Sequence, residues 1–88
     1  MDKDKVIFAG ESLSQLMYWI HNDIKIVDKI YTLIKDIKRN GAANGIGKPE
    51  RLKYEQGWSR RINQEHRLVY RIENEFIIIK SCKGHYED

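Results

Sequence analysis

The hydrophobic pattern of this chain changes period once, and that change limits the folds open to it. Up to residue 40 the apolar residues recur at helical spacing; from residue 50 onward they alternate as in strands. Leu13, Leu16, Met17 and Ile20 form one apolar stripe, and Ser12 followed by Gln15 has capping-box spacing. Asp23 is placed to cap a second helix, with Val27, Ile30, Leu33, Ile34 and Ile37 inward and Lys25, Lys29 and Asp36 outward. Asn40-Gly41 stops it. A short strand, Lys5–Ala9, is expected ahead of the helices. Behind them come four strands, Glu50–Tyr54, Trp58–Asn63, His66–Glu73 and Phe76–Cys82, joined by short turns. Within His66–Glu73, Leu68, Tyr70 and Ile72 point one way while Arg67, Val69 and Arg71 point the other. The first set must pack on the helices, which leaves the second as an open, arginine-studded platform. The expected fold is α+β, with two N-terminal helices packed on one face of a mainly antiparallel twisted sheet.

Eighty-eight residues make a single domain, 1–88, with one modest core. No apolar run approaches the roughly 20 residues of a membrane helix, and no signal sequence opens the chain, so a cytoplasmic setting is expected. The single cysteine, Cys82, has no disulfide partner and sits in an apolar strand, where inert packing is expected. The segment Gly41–Pro49 ends in a Gly-Lys pair, yet proline follows the lysine where a phosphate loop needs Ser or Thr opening a helix. Nucleotide binding is therefore set aside, and the segment is expected to be a flexible connection.

Charge is unevenly placed. The net charge is +3, but residues 48–71 carry seven basic side chains against three acidic ones. Arg60, Arg61, Arg67 and Arg71 supply four of the seven, and arginine suits bidentate phosphate contact. A polyanionic partner is the expectation. Cleavage of RNA by its own 2′-hydroxyl needs a base, a cation for the phosphate and an acid for the leaving oxygen. Glu50, Glu65, His66, Arg67, His85 and Tyr86 are the residues from which such a set could be drawn. His85 is delivered where the buried isoleucine run Ile77–Ile79 ends, and imidazoles exchange protons near neutrality. His66, which opens a strand, is read first as structural, and His21 as solvated.

The blocks Gly47-Lys48-Pro49-Glu50, Trp58-Ser59-Arg60-Arg61-Ile62, Glu65-His66-Arg67-Leu68-Val69-Tyr70 and His85-Tyr86 stand in a distinctive order. Together with Tyr18-Trp19 and Ile34-Lys35-Asp36, they closely resemble the YoeB/Txe toxins of the RelE/ParE superfamily. The resemblance implies a ribosome-dependent endoribonuclease that cuts mRNA in the A site without a metal or cofactor. On its pattern Glu50 is the general base, His85 the general acid, Arg67 the phosphate-stabilising cation and Tyr86 a stacking or orienting residue. Lys53, Arg61 and Glu65 match RNA-contacting or supporting positions. A cognate antitoxin with an acidic arm, the ribosome with its mRNA, and a homodimer are the implied partners, with Tyr18 a candidate contact. A gyrase inhibitor on the same fold and a non-catalytic RNA- or partner-binding module are the competing readings; Glu50, Arg67 and His85-Tyr86 argue against the first. Two departures from the family stand out. Glu87 and Asp88 follow the His-Tyr ending and are expected to project outward, and Gly84 is expected to loosen the tail.

Overall fold

Alternation in the second half produces the meander expected of it. A computed structural model describes residues 5–85. Its elements are β1 (Lys5–Phe8), α1 (Ser12–Asn22), α2 (Ile24–Asn40), β2 (Glu50–Arg51), β3 (Trp58–Arg61), β4 (Arg67–Glu73) and β5 (Phe76–Ser81). The sheet order is β1-β5-β4-β3-β2. Strands β2 to β5 run antiparallel in succession, and β1 adds to β5 in parallel. Ile26, Ile30, Leu33, Ile34 and Ile37 of α2, with Trp19 of α1, pack on Leu68, Tyr70, Ile77 and Ile79 of the central strands. Helices on one face of the sheet give the α+β architecture. Among the described residues no helix is long and apolar enough to cross a membrane.

Helix α2 follows its sequence signals. The Asp23 carboxylate accepts from the Lys25 N–H, and Gly41 ends the helix at φ 86°. Helix α1 does not. Of its apolar stripe only Leu16 packs on the core: Leu13, Met17 and Ile20 are all more than 40% exposed, while Ser12 and Trp19 are buried. The indole explains the rotation, because it fills the inward position and donates from Nε1 to the Cys82 carbonyl at 2.9 Å. The capping box is absent as well. Ser12 lies inside the helix, where its hydroxyl is shared between the Ala9 and Ile79 carbonyls. Gln15 Oε1 accepts from the Cys82 N–H at 2.7 Å. Both polar side chains serve the neighbouring strand rather than the helix's own first amides.

Asp36 and Arg60 depart furthest from expectation. Arg60 belongs to the basic segment but is fully buried, because it alternates with Arg61 and so points to the helix side of β3. All five of its N–H donors are used. Nε donates to Tyr70 Oη, Nη1 to Asp36 Oδ2 (2.5 Å) and the Ile46 carbonyl, and Nη2 to the Gly41 and Asn44 carbonyls. Asp36 is therefore turned inward to meet the cation, and its Oδ2 also accepts from the Ile46 N–H. The glycine-rich connection 41–49 is wrapped around this guanidinium. Gly45, at φ 121°, leaves no room for a side chain, since a Cβ there would lie 1.8 Å from Asp36 Oδ2.

Candidate active site

The face of the sheet away from the helices holds the polar residues of the meander. Pairing sets Glu50 beside Ser59, and Arg61 directly opposite Arg67. Two arginines across a strand pair repel unless an anion lies between or above them. The face is not the continuous platform expected from alternation. Val69 and Ile78 on that side are buried, and the segment between β2 and β3 reaches across to β5, where Glu55 pairs with Lys80. What remains open is a groove of about 500 Å³ lined by Glu50, Arg51, Leu52, Ser59, Arg61, Asn63, Gln64, Arg67 and His85.

Glu50, Arg61, Arg67 and His85, distant in sequence, therefore meet in one groove. Arg67 is mostly buried and aimed by Ser59, whose hydroxyl accepts from Nε at 2.9 Å. Its Nη2 lies 3.5 Å from Glu50 Oε1, and Nη1 has no hydrogen-bond partner among the described residues. That geometry presents a fixed cation with a free donor edge next to a carboxylate that is 64% exposed. Lys53 and Glu65 are exposed and lie off the groove lining. The Glu65 N–H instead joins a turn in which Asn63 Oδ1 accepts from Glu65 and His66. Tyr86, Glu87 and Asp88 lie outside the described residues. Ser59 was not singled out by sequence reading; its signal was its pairing partner, since antiparallel register sets it beside Glu50.

The tail that carries His85 is bonded on both sides of its backbone. Besides the Trp19 and Gln15 contacts to Cys82, the Gly84 N–H donates to His66 Nδ1 at 2.8 Å and its carbonyl accepts from the Arg67 N–H at 3.1 Å. Gly84, the residue expected to loosen the tail, is thus itself held, at φ 93°. His66 has the structural role expected of it. Cys82 is fully buried, and burial pushes its thiol up to about 11, so it offers no nucleophile. Alkylation of the native protein by iodoacetamide at about pH 8 should run at least ~100-fold slower than in urea. Equal rates would show the thiol to be open.

A profile of the family described as YoeB-like toxin of bacterial type II toxin–antitoxin system matches residues 8–86. Toxin YoeB of Escherichia coli is 45% identical over 84 residues, covering 93% of this chain and 99% of its own. Among solved structures, the YoeB dimer from Staphylococcus aureus superposes with a TM-score of 0.88 at 49% identity, over 93% of this chain and 97% of that one. The YoeB chain of the heterotetrameric YoeB–YefM toxin–antitoxin complex from the same organism matches equally, at TM-score 0.88, 49% identity and the same coverages.

Proposed function

This chain belongs to the YoeB-like toxins of bacterial type II toxin–antitoxin systems, and from that premise we propose that it is a ribosome-dependent endoribonuclease cutting mRNA in the A site. The observation that carries the reading is the convergence of Glu50, Arg67 and His85 on one groove. A Glu50 carboxylate oxygen takes the 2′-hydroxyl proton as the 2′-oxygen attacks phosphorus. The P–O5′ bond breaks, His85 gives its proton to the departing 5′-oxygen, and a 2′,3′-cyclic phosphate remains. Arg67, oriented by Ser59, holds the added negative charge of the five-coordinate phosphate, with Arg61 opposite it. Protons and charge balance among these side chains, so no step calls on a metal. Tyr86 stacks on or orients the target nucleotide, and Lys53 and Glu65 act at the rim.

The exposure of Glu50 supports ribosome dependence. A carboxylate that is 64% exposed is held by little that would align the 2′-oxygen, phosphorus and 5′-oxygen in line. A codon already ordered in the A site meets that requirement before the toxin arrives. The protein thus acts in the cytoplasm, on ribosomes. It is held in check by a cognate antitoxin and pairs with a second copy, and the exposed apolar row of α1 with Tyr18 is a surface suited to such contacts.

Primer extension on an mRNA in a reconstituted translation reaction tests the reading. Cuts should fall within the A-site codon and appear only with programmed ribosomes. Intact mRNA with translation halted would mean a blocker rather than a nuclease.

A further inference from the structure

The His66-Arg67 dipeptide faces two ways. The Arg67 side chain enters the groove, while its backbone N–H and the His66 ring grip the tail on which His85 is mounted. We propose that His66 is a positioning residue for the cleavage reaction: its ring nitrogen Nδ1 holds the Gly84 amide and thereby seats His85 beside Glu50 and Arg67. The inference rests on the reading of His85 as the general acid.

The chemistry of the bond defines the state of the ring. A backbone N–H can only donate, so Nδ1 accepts with its lone pair and the ring proton sits on Nε2. The ring itself is braced. Trp19 meets it edge-on at a centroid separation of 4.8 Å, and the same indole donates to the Cys82 carbonyl two residues before Gly84. Trp19 and His66 therefore act on the tail as one unit, drawn from α1 and the residue that precedes β4.

Gly84 makes that unit necessary. A glycine has no side chain to restrict its backbone, and a Cβ placed here would meet nothing within 4 Å. Packing at the α-carbon therefore does not orient the residue. Its direction is set by two hydrogen bonds, one to the His66 ring and one from the Arg67 amide. His85 follows immediately and is itself exposed, so its placement in the groove is inherited from Gly84. A small angular error at an acid mounted this way moves its proton away from the leaving oxygen.

The test uses the full chain freed of antitoxin, as wild type, His66→Ala and His66→Asn. Asparagine places an acceptor oxygen near the position of Nδ1, so it can restore the bond without the ring. Amide hydrogen exchange is read at Gly84, with Ile79 as a core reference, alongside single-turnover cleavage on programmed ribosomes. His66→Ala should expose the Gly84 amide and slow the cleavage step roughly tenfold, the scale of one lost hydrogen bond, with half-saturation unchanged. His66→Asn should recover most of both, and Ile79 should stay protected in all three. Unchanged Gly84 exchange in His66→Ala would overturn the latch. Lost protection with full-speed cleavage would overturn its positioning role. If His66→Ala fails to fold, seen as exposure at Ile79, then a folded His66→Asn that cleaves at the wild-type rate without protecting Gly84 would overturn the proposal, and one that recovers both would support it. A wild type that does not cleave would instead sink the nuclease reading and this positioning role with it, while exchange still reported on the latch itself.

Discussion

Replacing His85 with alanine is expected to slow A-site cleavage by about 10²-fold or more, the range for losing a general acid. The 5′-oxygen would then have to leave as an alkoxide, or wait for a proton from water. Because His85 is exposed, its removal should change stability by less than about 0.5 kcal/mol, so the loss is chemical rather than structural. Two readouts separate acid from binder. Sedimentation with programmed ribosomes should show unaltered association. An mRNA carrying a 5′-thio leaving group at the scissile position, which departs without a proton, should restore most of the rate to the variant. Cleavage of the ordinary substrate at the wild-type rate would remove His85 from the mechanism.

The second large effect is on stability. Asp36→Ala should cost on the order of 3–5 kcal/mol, because it leaves the buried Arg60 guanidinium without its counter-charge. A domain of this size has only about 5–15 kcal/mol to lose, so the variant should melt far below the parent. Changing both partners together, as Asp36→Leu with Arg60→Met, strands no charge but leaves the Gly41, Asn44 and Ile46 carbonyls without their donors, so it should not return the melt to the parent's. The Arg60 hydrogen bond first, and then that of the Ile46 amide and the guanidinium's charge, hold the Asp36 carboxyl below its ordinary value of 3.8 against the opposing effect of burial. The sign follows from that depression. The contribution is fully present above about pH 4 and lost as pH falls through the lower folded value. The gap between parent and variant in urea melts should therefore be widest at neutral pH and narrow as pH falls below about 4; a gap that does not change with pH would mean that the pair titrates otherwise. Loosening this centre also reaches the groove, because the connection wrapped around Arg60 leads directly into Glu50.

Arg60 and Arg61 are adjacent and chemically identical, and by composition both belong to one basic surface. Strand alternation sends them to opposite faces, so Arg61 lines the groove while Arg60 becomes the polar centre of the core. Helical spacing puts Asp36 outward, where carboxylates usually lie; only a cation on the facing strand reverses that. In α1 the stripe of Leu13, Leu16, Met17 and Ile20 has the right spacing, but of the four only Leu16 reaches the core, and the inward position goes to Trp19, whose ring both packs and donates. These departures share one origin. A one-dimensional pattern records the period of an element but not which partner the element meets.

The chain's own periodicity and turns, with the Asp23 cap of α2, determined its two helices, its meander and the α+β class, because those signals act between residues a few positions apart. The resemblance carried by its ordered blocks pointed to Glu50, Arg67, His85 and Tyr86 as the reacting residues, with Lys53, Arg61 and Glu65 in support. Tertiary structure alone decided that Glu50, Arg61, Arg67 and His85 share a groove that Lys53 and Glu65 do not line, that Ser59 aims Arg67, and that His66 holds the tail carrying His85. Such relations depend on sheet register and on which face each helix turns inward. Both are set by packing between segments tens of residues apart, on which local pattern carries no information.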